Sequence, residues 1–366
     1  MNNFLKECFK TKTITNICYI LGNESCDLDS AVCAISLAYF YYYSKNKIFH
    51  KKTYNAFIPI LNVSRSNFPI KSEVVYYFKQ HEINSDNICF MDDIDERFLQ
   101  SNDIVLVDHH FSPYRDSVIQ VIDHHQFDSN CNLRNDCDTK IDLVGSCSSL
   151  IADLILKSHN PEEYKEVLKL LYGPIVLDTV NFSKEADKAR QLDLDVSEKI
   201  EKIFSITSEH KQDIFESLVK ARAAIDGLNA YQILFKDMKL VLNQAKTFKI
   251  AIPGYPILVQ EYIKMDNAEN YVKEFSESQN CSIIVLMGMK IVEGSVERDL
   301  GIININNREL FENIVNGIRN CKEPNLNVEE YENCKFLNGV FFRQNNVKAS
   351  RKQILPLVKS IMEDHR

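Results

Sequence analysis

The first half of this 366-residue chain alternates continuous apolar runs with segments of helical periodicity. A run that is apolar at nearly every position, rather than at every second one, is typical of a strand covered on both faces. Alternation of such strands with helices predicts a mainly parallel α/β sheet. The predicted strands are residues 17–21, 56–61, 104–107, 118–122 and 173–177. The predicted helices are residues 29–43, 74–80, 145–158 and 162–171.

The second half of the chain predicts a smaller α/β domain. Its predicted strands are residues 240–242, 248–252, 282–287 and 300–305, and a predicted helix over 352–363 closes the chain. Residues 184–218, between the two halves, are charged and helical in pattern, and their later part is typical of a linker. We therefore expect an N-terminal domain over residues 1–195, a helical linker over 196–218 and a C-terminal domain over 219–366.

Charge and cysteine content argue against several classes of protein. The chain has 43 Lys and Arg against 51 Asp and Glu, and the net charge of −8 disfavours a general nucleic-acid binder. The longest uncharged stretch, residues 30–44, is shorter than the roughly 18 residues that a membrane-spanning helix needs. The eleven cysteines form no Cys-x-x-Cys pair, and the N-terminus shows no segment typical of a signal peptide. These features fit a protein of the reducing cytosol.

Acidic and histidine side chains gather where four of the predicted strands end. In chain order they are Asp27 and Asp29, Asp108-His109-His110, Asp123-His124-His125, and Asp178. We expect them to converge, because parallel sheets bind ligands outside the carboxyl ends of their strands. Clustered carboxylates need a compensating cation, and oxygen-rich ligands with one or two imidazoles suit Mn²⁺ or Mg²⁺. Two such ions ~3.5–4 Å apart activate water against a phosphoryl group, so the pattern predicts metal-dependent hydrolysis of a phosphate compound.

Each of these segments also has a simpler interpretation when it is taken alone. Asp27 and Asp29 suit a helix N-cap, Asp178 suits a strand end or a cap, and a single Asp-His-His sequence suits an ordinary loop. Repetition favours the metal site, because four of the nine histidines fall within residues 109–125, at two matching strand ends.

The four segments occur in the order of the four motifs of the DHH phosphoesterase superfamily, which the chain resembles over nearly its whole length. In the second half, Asp237-Met238-Lys239 and Ser350-Arg351-Lys352 resemble elements of family II inorganic pyrophosphatases and eukaryotic exopolyphosphatases. Family II pyrophosphatases place a metal-binding histidine where this chain has Asn23. Residues 22–30, Gly-Asn-Glu-Ser-Cys-Asp-Leu-Asp-Ser, are similar instead to the exopolyphosphatase and prune pattern.

The resemblance implies a role for each matching residue. One metal ion would be bound by Asp27 and Asp108, and the other by Asp29, Asp108, His124 and Asp178. The implied catalytic residues are Asp108, His125, which would donate a proton to the phosphate or leaving oxygen, and Arg351. The residues implied to contact phosphate are Asn23, His109, His110, Lys239, Arg351 and Lys352. Asp123 is expected to orient a histidine.

The implied activity is that of an exopolyphosphatase, in which two divalent ions, Mn²⁺ or Mg²⁺, activate water to release orthophosphate from the ends of inorganic polyphosphate. The active site would lie in the cleft between the two domains. Two alternatives stay open: a manganese-dependent inorganic pyrophosphatase, and a prune-like phosphodiesterase or signalling scaffold with little turnover. His125 stands where prune proteins often carry Arg, which favours an active enzyme. We expect polyphosphate or pyrophosphate as substrate, no nucleic-acid or membrane partner, a cytoplasmic location, and a monomer or homodimer.

Overall fold

The computed structural model describes residues 1–13, 15–44, 52–243, 247–292 and 295–364. Backbone contacts divide the chain into two units, which we name unit 1 (Met1–Ala224) and unit 2 (Ile225–Arg366). Each unit contains one six-stranded sheet with helices packed on it, which confirms the predicted α/β class for both halves of the chain. No helix of the described residues is long and apolar enough to cross a membrane.

Unit 1 is built on a wholly parallel sheet. Its strands are β1 (Ile17–Leu21), β2 (Ala56–Leu61), β3 (Cys89–Phe90), β4 (Asp103–Val107), β5 (Val118–Asp123) and β6 (Asp138–Ile141). Its α-helices are α1 (Asn2–Thr11), α2 (Leu28–Tyr43), α3 (Ser72–Gln80), α4 (Glu96–Ser101), α5 (Cys147–Leu156), α6 (Lys165–Asp178), α7 (Gln191–Phe204) and α8 (Ser208–Ala223). The strands pair in the order β3-β2-β1-β4-β5-β6.

The order of this sheet reverses next to β1. The chain adds β2 and β3 on one side of β1 and then returns to add β4, β5 and β6 on the other side. All residues of β1 and β2 are buried, and so are all residues of β4 after its first, as expected for strands covered on both faces. In an open parallel sheet a crevice forms outside the carboxyl ends of the strands at such a reversal, here between β1 and β4.

Residues 173–177, which we predicted as a strand, form the last turns of α6 instead. A short apolar run fits a buried strand or a buried helix equally well, so its pattern alone cannot separate the two. Pro174 lies inside α6 and lacks the N–H that would bond to the Leu170 carbonyl. The Tyr77 hydroxyl of α3 compensates, because it donates to the Leu170 carbonyl and accepts the Gly173 N–H, both at 3.0 Å.

The segment predicted as a linker, residues 196–218, belongs to α7 and α8 and packs in unit 1. Val196 of α7 and Leu218 of α8 are buried. At the end of α8 the Ala221 carbonyl accepts the hydroxyl of Ser72, the first residue of α3, at 2.6 Å. The charged side chains that suggested a linker lie on the outward faces of these helices, because their apolar residues already cover the core.

Unit 2 has a mixed sheet. Its strands are β7 (Asp237–Leu242), β8 (Lys249–Tyr255), β9 (Ile283–Val292), β10 (Ser295–Asn304), β11 (Val328–Glu330) and β12 (Gly339–Gln344). Its α-helices are α9 (Ala230–Phe235), α10 (Val259–Tyr262), α11 (Ala268–Gln279), α12 (Arg308–Asn320) and α13 (Arg351–Asp364). The order is β11-β12-β10-β9-β8-β7, and only the β8–β9 pair is parallel among the described strands. One apolar cluster packs the sheet against α12 and α13, and a second packs it against α9, α10 and α11.

Candidate metal and phosphate site

A cavity of about 670 Å³ lies at the carboxyl ends of β1, β4 and β5 in unit 1. All four predicted acidic segments reach it. Its lining includes five carboxylates, Asp27, Asp29, Asp108, Asp123 and Asp178, and four imidazoles, His109, His110, His124 and His125. Three of the segments arrive at strand ends, as the topology predicts, whereas Asp178 arrives as the last residue of α6. Such a concentration of carboxylates is unfavourable unless hydrogen bonds or cations compensate each charge.

Asp108 is a buried carboxylate with a hydrogen bond at only one of its two oxygens. It follows β4 with a φ of 63°, a left-handed conformation that Asp tolerates better than most residues, and its side chain is 2% exposed. Asn23 Nδ2 donates to Oδ2 at 2.8 Å, but Oδ1 has no hydrogen-bond partner among the described residues. Burial and the neighbouring charges of Asp29 and Asp27 raise the pKa of Asp108 to about 8. A buried oxygen of this kind is poised to bind a cation.

His124 presents a ring nitrogen to the same point. Its Nδ1–H donates to the Val144 carbonyl at 3.0 Å, which leaves Nε2 facing the acidic residues. Nε2 lies 3.1 Å from Asp108 Oδ1 and 3.9 Å from Asp29 Oδ2. Burial alone would lower the pKa of His124, but these two carboxylates raise it to about 10. A histidine held by a carbonyl at one nitrogen, with the other directed at carboxylates, has the arrangement of a metal ligand.

Asp27 and Asp29 combine a structural role with a position at the cavity. Asp27 is the N-cap of α2, as its simpler interpretation predicts, because Oδ1 accepts the Ser30 N–H at 3.1 Å. Asp29 is buried, and its carboxylate accepts the backbone N–H groups of Cys147 at 2.6 Å and Ser148 at 2.8 Å. These two residues begin α5, so the negative charge of Asp29 lies at the positive end of a helix. Oδ1 of Asp29 also accepts the Ser148 hydroxyl at 2.5 Å and the Cys33 thiol at 3.4 Å, so Oδ2 is the Asp29 oxygen that keeps lone-pair capacity for a metal.

Asp123 organises the histidines instead of binding the predicted metals. It is fully buried, and it accepts the backbone N–H groups of His124 at 2.7 Å and His125 at 3.2 Å. It also accepts Nδ1–H of His125 at 2.8 Å and Nδ1–H of His110 at 2.5 Å. Burial opposes ionisation of Asp123, but the hydrogen bonds from His125 and His110 outweigh it and hold the pKa well below its usual value. The expectation that Asp123 orients a histidine therefore applies to two of them.

The three remaining histidines differ in which ring nitrogens are available to contact a ligand. His110 is buried with both nitrogens in use, since its Nε2 accepts the Asp128 N–H at 3.1 Å, which leaves neither for the predicted phosphate contact. His109 donates Nδ1–H to the Val107 carbonyl at 2.9 Å, and burial lowers its pKa. His125 is half-exposed, and its hydrogen bond to Asp123 raises its pKa. Nε2 of His125 has no partner among the described residues, so it is free to meet a ligand.

Asp178 closes the cavity from the side of α6. It makes no hydrogen bond through its side chain with any described residue. Burial, followed by the charges of Asp29 and Asp27, raises the pKa of Asp178 well above its ordinary value, although the Arg222 guanidinium acts against this. A carboxylate whose ionised form is destabilised by burial and by like charges is stabilised most by a bound cation.

The residues of the cavity fit divalent metal ions. Asp108, His124 and His125 offer ligand atoms that all lie within 4.8 Å of one another. The unpaired buried oxygen of Asp108 and the carbonyl-held ring of His124 are the two features that a metal would satisfy. The donor set of carboxylates and imidazole, without a thiolate, suits Mn²⁺ or Mg²⁺ better than a structural zinc site.

Asn23 has a different environment from the one predicted for it. Its amide nitrogen donates to Asp108 Oδ2 at 2.8 Å and to the Asp108 carbonyl at 3.2 Å. Its amide oxygen accepts the Ser25 hydroxyl at 2.7 Å and the Cys26 N–H at 3.0 Å. Asn23 therefore supports Asp108 through a hydrogen bond, and all of its oxygen lone pairs are already in use.

The predicted phosphate-binding cations of unit 2 lie near one another. Arg351, at the start of α13, donates to the carbonyl and to Oδ1 of Asp237, both at 2.6 Å. Lys239 lies two residues along β7 from Asp237, on the same face of the strand, and is exposed, as is Lys352. The resemblance did not predict the Arg351–Asp237 pair, although the Asp-x-Lys sequence contains the aspartate that forms it.

Lys188 is a charged residue of the cavity that the sequence did not predict. Lys188 is the only Lys or Arg that lines it within the part of the chain that the structure describes. It lies in the charged stretch 184–218, which is helical in pattern with a linker predicted in its later part, and no role was predicted there for Lys188. The sequence feature that pointed to Lys188 was its position, ten residues after the predicted metal ligand Asp178.

Two family models and several relatives match the chain. The model described as the DHH family, N-terminal domain, matches residues 17–175, and the DHHA2 domain matches residues 216–361. The Rattus norvegicus protein described as exopolyphosphatase PRUNE1 is 28% identical, and the match covers 99% of this chain and 79% of that protein. The Homo sapiens protein of the same description is 29% identical, and the match covers 94% of this chain and 75% of that protein. A solved Methanococcus jannaschii structure described as a family II inorganic pyrophosphatase is 19% identical, with a TM-score of 0.47, and the match covers 94% of this chain and 99% of that one. The two matched domains and the PRUNE1 relatives show that the chain belongs to the DHH phosphoesterase superfamily, in its exopolyphosphatase and prune branch.

Proposed function

We propose that this chain is an exopolyphosphatase that releases orthophosphate from the ends of inorganic polyphosphate, with two divalent cations, Mn²⁺ or Mg²⁺, bound at the unit 1 cavity. As a DHH phosphoesterase it is a hydrolase that acts on phosphoanhydride bonds. The observation that carries the proposal is Asp108, a buried carboxylate with an unpaired oxygen that faces His124 among four further aspartates. The PRUNE1 relatives, which are described as exopolyphosphatases, support the choice of substrate.

The metal ligands that we propose are those implied by the family motifs. Asp27 and Asp108 would hold one ion, and Asp29, Asp108, His124 and Asp178 would hold the other. Bound ions would supply Lewis-acid activation of water and would neutralise phosphate charge. The raised pKa values of Asp108 and Asp178 support this set, because both carboxyls are destabilised by burial and by other carboxylates until a cation arrives.

His125 is the proposed proton donor. Its Nδ1–H is held by Asp123, so any proton that it gives to a phosphate or leaving oxygen must come from Nε2. The raised pKa of His125 keeps a larger fraction of the ring protonated near neutral pH than an ordinary histidine would have. Asp123 therefore sets both the orientation and the basicity of the group that donates.

Asn23 supports an exopolyphosphatase more than a pyrophosphatase of family II. Because its amide nitrogen donates to Asp108 and its oxygen is occupied by Ser25 and Cys26, this position supplies a hydrogen bond in place of an imidazole ligand. We infer weaker binding of one transition-metal ion and tolerance of Mg²⁺, since an amide is a poorer ligand than imidazole for such metals.

Unit 2 is proposed to supply phosphate-binding cations. Arg351, Lys239 and Lys352 are near one another on that unit, and a guanidinium matches phosphate oxygens with two parallel hydrogen bonds. Asp237 occupies Arg351 in this structure, so phosphate would compete with that carboxylate. A cytoplasmic location and a monomeric or homodimeric state stay predictions.

A substrate panel tests the proposed function. Orthophosphate release is measured from long-chain polyphosphate and from pyrophosphate, and AMP formation is measured from cyclic AMP, each with Mg²⁺ and with Mn²⁺. The proposal predicts turnover of polyphosphate at rates far above those of the other two substrates. Faster release from pyrophosphate would identify an inorganic pyrophosphatase, and binding of metal without turnover of any substrate would identify a scaffold.

A further inference from the structure

We propose that Lys188, a residue of unit 1, binds the phosphate groups of the substrate through its ammonium group, which pairs with none of the proposed metal ligands. That its ligand is a phosphate anion rests on the proposed function. The placement of Lys188 on the cavity wall, and the means by which the fold keeps it there, rest on contacts within unit 1.

Lys188 brings an ammonium group to a cavity wall that is rich in carboxylates and imidazoles. It is the only Lys or Arg among the described lining residues, whereas five of those residues are aspartates. Even so, its exposed ammonium forms neither an ion pair nor a hydrogen bond with any described residue. A cation that borders five carboxylates without pairing with one keeps its positive charge available for an anion.

A buried aspartate fixes the turn that carries Lys188. Asp193 is fully buried, and its Oδ2 accepts the N–H groups of Arg190 and Gly145, each at 2.7 Å. Its Oδ1 accepts the Ser149 hydroxyl at 2.5 Å. These bonds join the backbone two residues after Lys188 to the start of α5, and so restrict movement of the turn that carries Lys188.

Close packing at Gly145 supports the same placement. A Cβ at this position would lie 3.1 Å from the Lys188 carbonyl oxygen and 2.8 Å from Cγ2 of Thr179. The adjacent Val144 carbonyl accepts Nδ1–H of His124 at 3.0 Å. One short segment therefore orients a proposed metal ligand and packs against the backbone of Lys188.

The chemistry of lysine suits a chain of phosphate groups. An ammonium is a compact charge with three donors on a flexible stem, so it can follow phosphates whose positions vary, whereas a guanidinium demands a fixed geometry. Metal ions bound by the carboxylates would offset their repulsion, and Lys188 would then add to the attraction. Because Lys188 takes no part in the proposed proton transfer from His125, its contact should strengthen ground-state and transition-state binding equally.

The test compares Lys188→Met, Lys188→Arg and the wild type, with Lys184→Met as a matched control. Lys184 is an exposed lysine four residues away that does not line the cavity. Two quantities are measured with Mg²⁺: the Kd of imidodiphosphate, which is not hydrolysed, by calorimetry, and kcat and KM for tripolyphosphate. For Lys188→Met we expect Kd and KM to rise about tenfold, the size of one charge-assisted hydrogen bond, with kcat within twofold.

Lys188→Arg should keep Kd within about threefold of the wild type, because the positive charge, more than the shape of the side chain, stabilises the contact with phosphate. Lys184→Met should have the Kd and KM of the wild type. Wild-type Kd in Lys188→Met would overturn the inference, as would a loss of binding that Arg does not restore. If the wild type hydrolyses no phosphoanhydride while Lys188→Met still weakens imidodiphosphate binding, the inference stands and the proposed function fails.

Discussion

At the scale of single residues, two buried aspartates of the cavity have opposite surroundings. Asp123 accepts four N–H groups, and its pKa is held low, so it remains a carboxylate that fixes the rings of His110 and His125. Asp108 accepts only the Asn23 amide at its side chain, and its pKa is raised to about 8. The first is satisfied by the protein alone, and the second requires a cation, which separates an orienting aspartate from a metal ligand.

Replacing Asp108 should therefore abolish metal binding at little cost in stability. Because the pKa of Asp108 is raised to about 8, its carboxyl is mostly neutral at pH 7, and Asp108→Asn should change the Tm of the metal-free protein at that pH by no more than about 2 °C. The increase in Tm that Mn²⁺ gives the wild type should be lost. Thermal unfolding with EDTA and with Mn²⁺ measures both effects. Asp116→Asn, an exposed residue of the same unit, is the control, and a normal Mn²⁺ response in Asp108→Asn would rule out the proposed metal role.

The titration of His124 predicts a pH dependence for the metal-free protein. Its pKa lies at about 10 in the fold, above the 6.5 expected for an unfolded chain. The folded state therefore binds the proton more tightly, and this stability is present below pH 6.5 and is lost as the pH rises towards 10. With EDTA, the free energy of unfolding from urea titrations should fall more steeply between pH 6.5 and 9 in the wild type than in His124→Gln. Equal slopes would show that His124 is not charged in the metal-free fold.

At the scale of elements, strands were predictable where a continuous apolar run ends at a polar segment. Residues 17–21 and 104–107 form β1 and β4 almost as predicted, because burial on both faces leaves few other ways to place such runs. Residues 173–177 carry the same local signal but lie in α6. The deciding contact comes from Tyr77, almost a hundred residues away, so no local pattern contains it.

Removing the Tyr77 hydroxyl should destabilise unit 1. In Tyr77→Phe the Leu170 carbonyl and the Gly173 N–H lose their shared partner inside the protein, at a cost of about 1–3 kcal/mol in the free energy of unfolding. Urea denaturation measures this loss, and Tyr76→Phe, in the same helix, is the control. In a Pro174→Ala background the restored N–H can bond to Leu170, so the same substitution should cost less there. An equal cost in both backgrounds would contradict this account of α6.

At the scale of the whole molecule, each unit has its own core, and the proposed phosphate-binding cations belong to both: Lys188 to unit 1, and Lys239, Arg351 and Lys352 to unit 2. Arg351 pairs with Asp237, whose side chain is 61% exposed, and a surface pair of this kind contributes at most about 1 kcal/mol. Arg351→Ala should therefore leave Tm nearly unchanged while kcat/KM for polyphosphate falls on the order of 100-fold, as for loss of a charged contact to phosphate. Lys359→Ala, on the same helix, is the control. Wild-type kcat/KM in Arg351→Ala would remove Arg351 from the proposed site.

Contacts between distant segments set the limit of what the sequence could predict about the site. The motifs identified all five carboxylates and all four histidines that line the cavity; three of the four segments follow strand ends, and Asp178 ends α6. They did not show that the Asn23 amide donates a hydrogen bond to the Asp108 carboxylate, or that the Asp128 N–H donates to Nε2 of His110. They also missed Lys188, because a charged helical stretch is usually no more than a solvated surface.

Asp108 is the carboxylate proposed to hold both metal ions of a phosphohydrolase. One assay tests this role most directly: orthophosphate release from long-chain polyphosphate by the wild type and by Asp108→Asn, each with EDTA, Mg²⁺ or Mn²⁺. We predict release by the wild type only with a divalent ion, and with either ion a rate lower by at least about 100-fold in Asp108→Asn. Wild-type release that persists in EDTA, or an Asp108→Asn rate equal to that of the wild type with Mg²⁺ or Mn²⁺, would contradict the account.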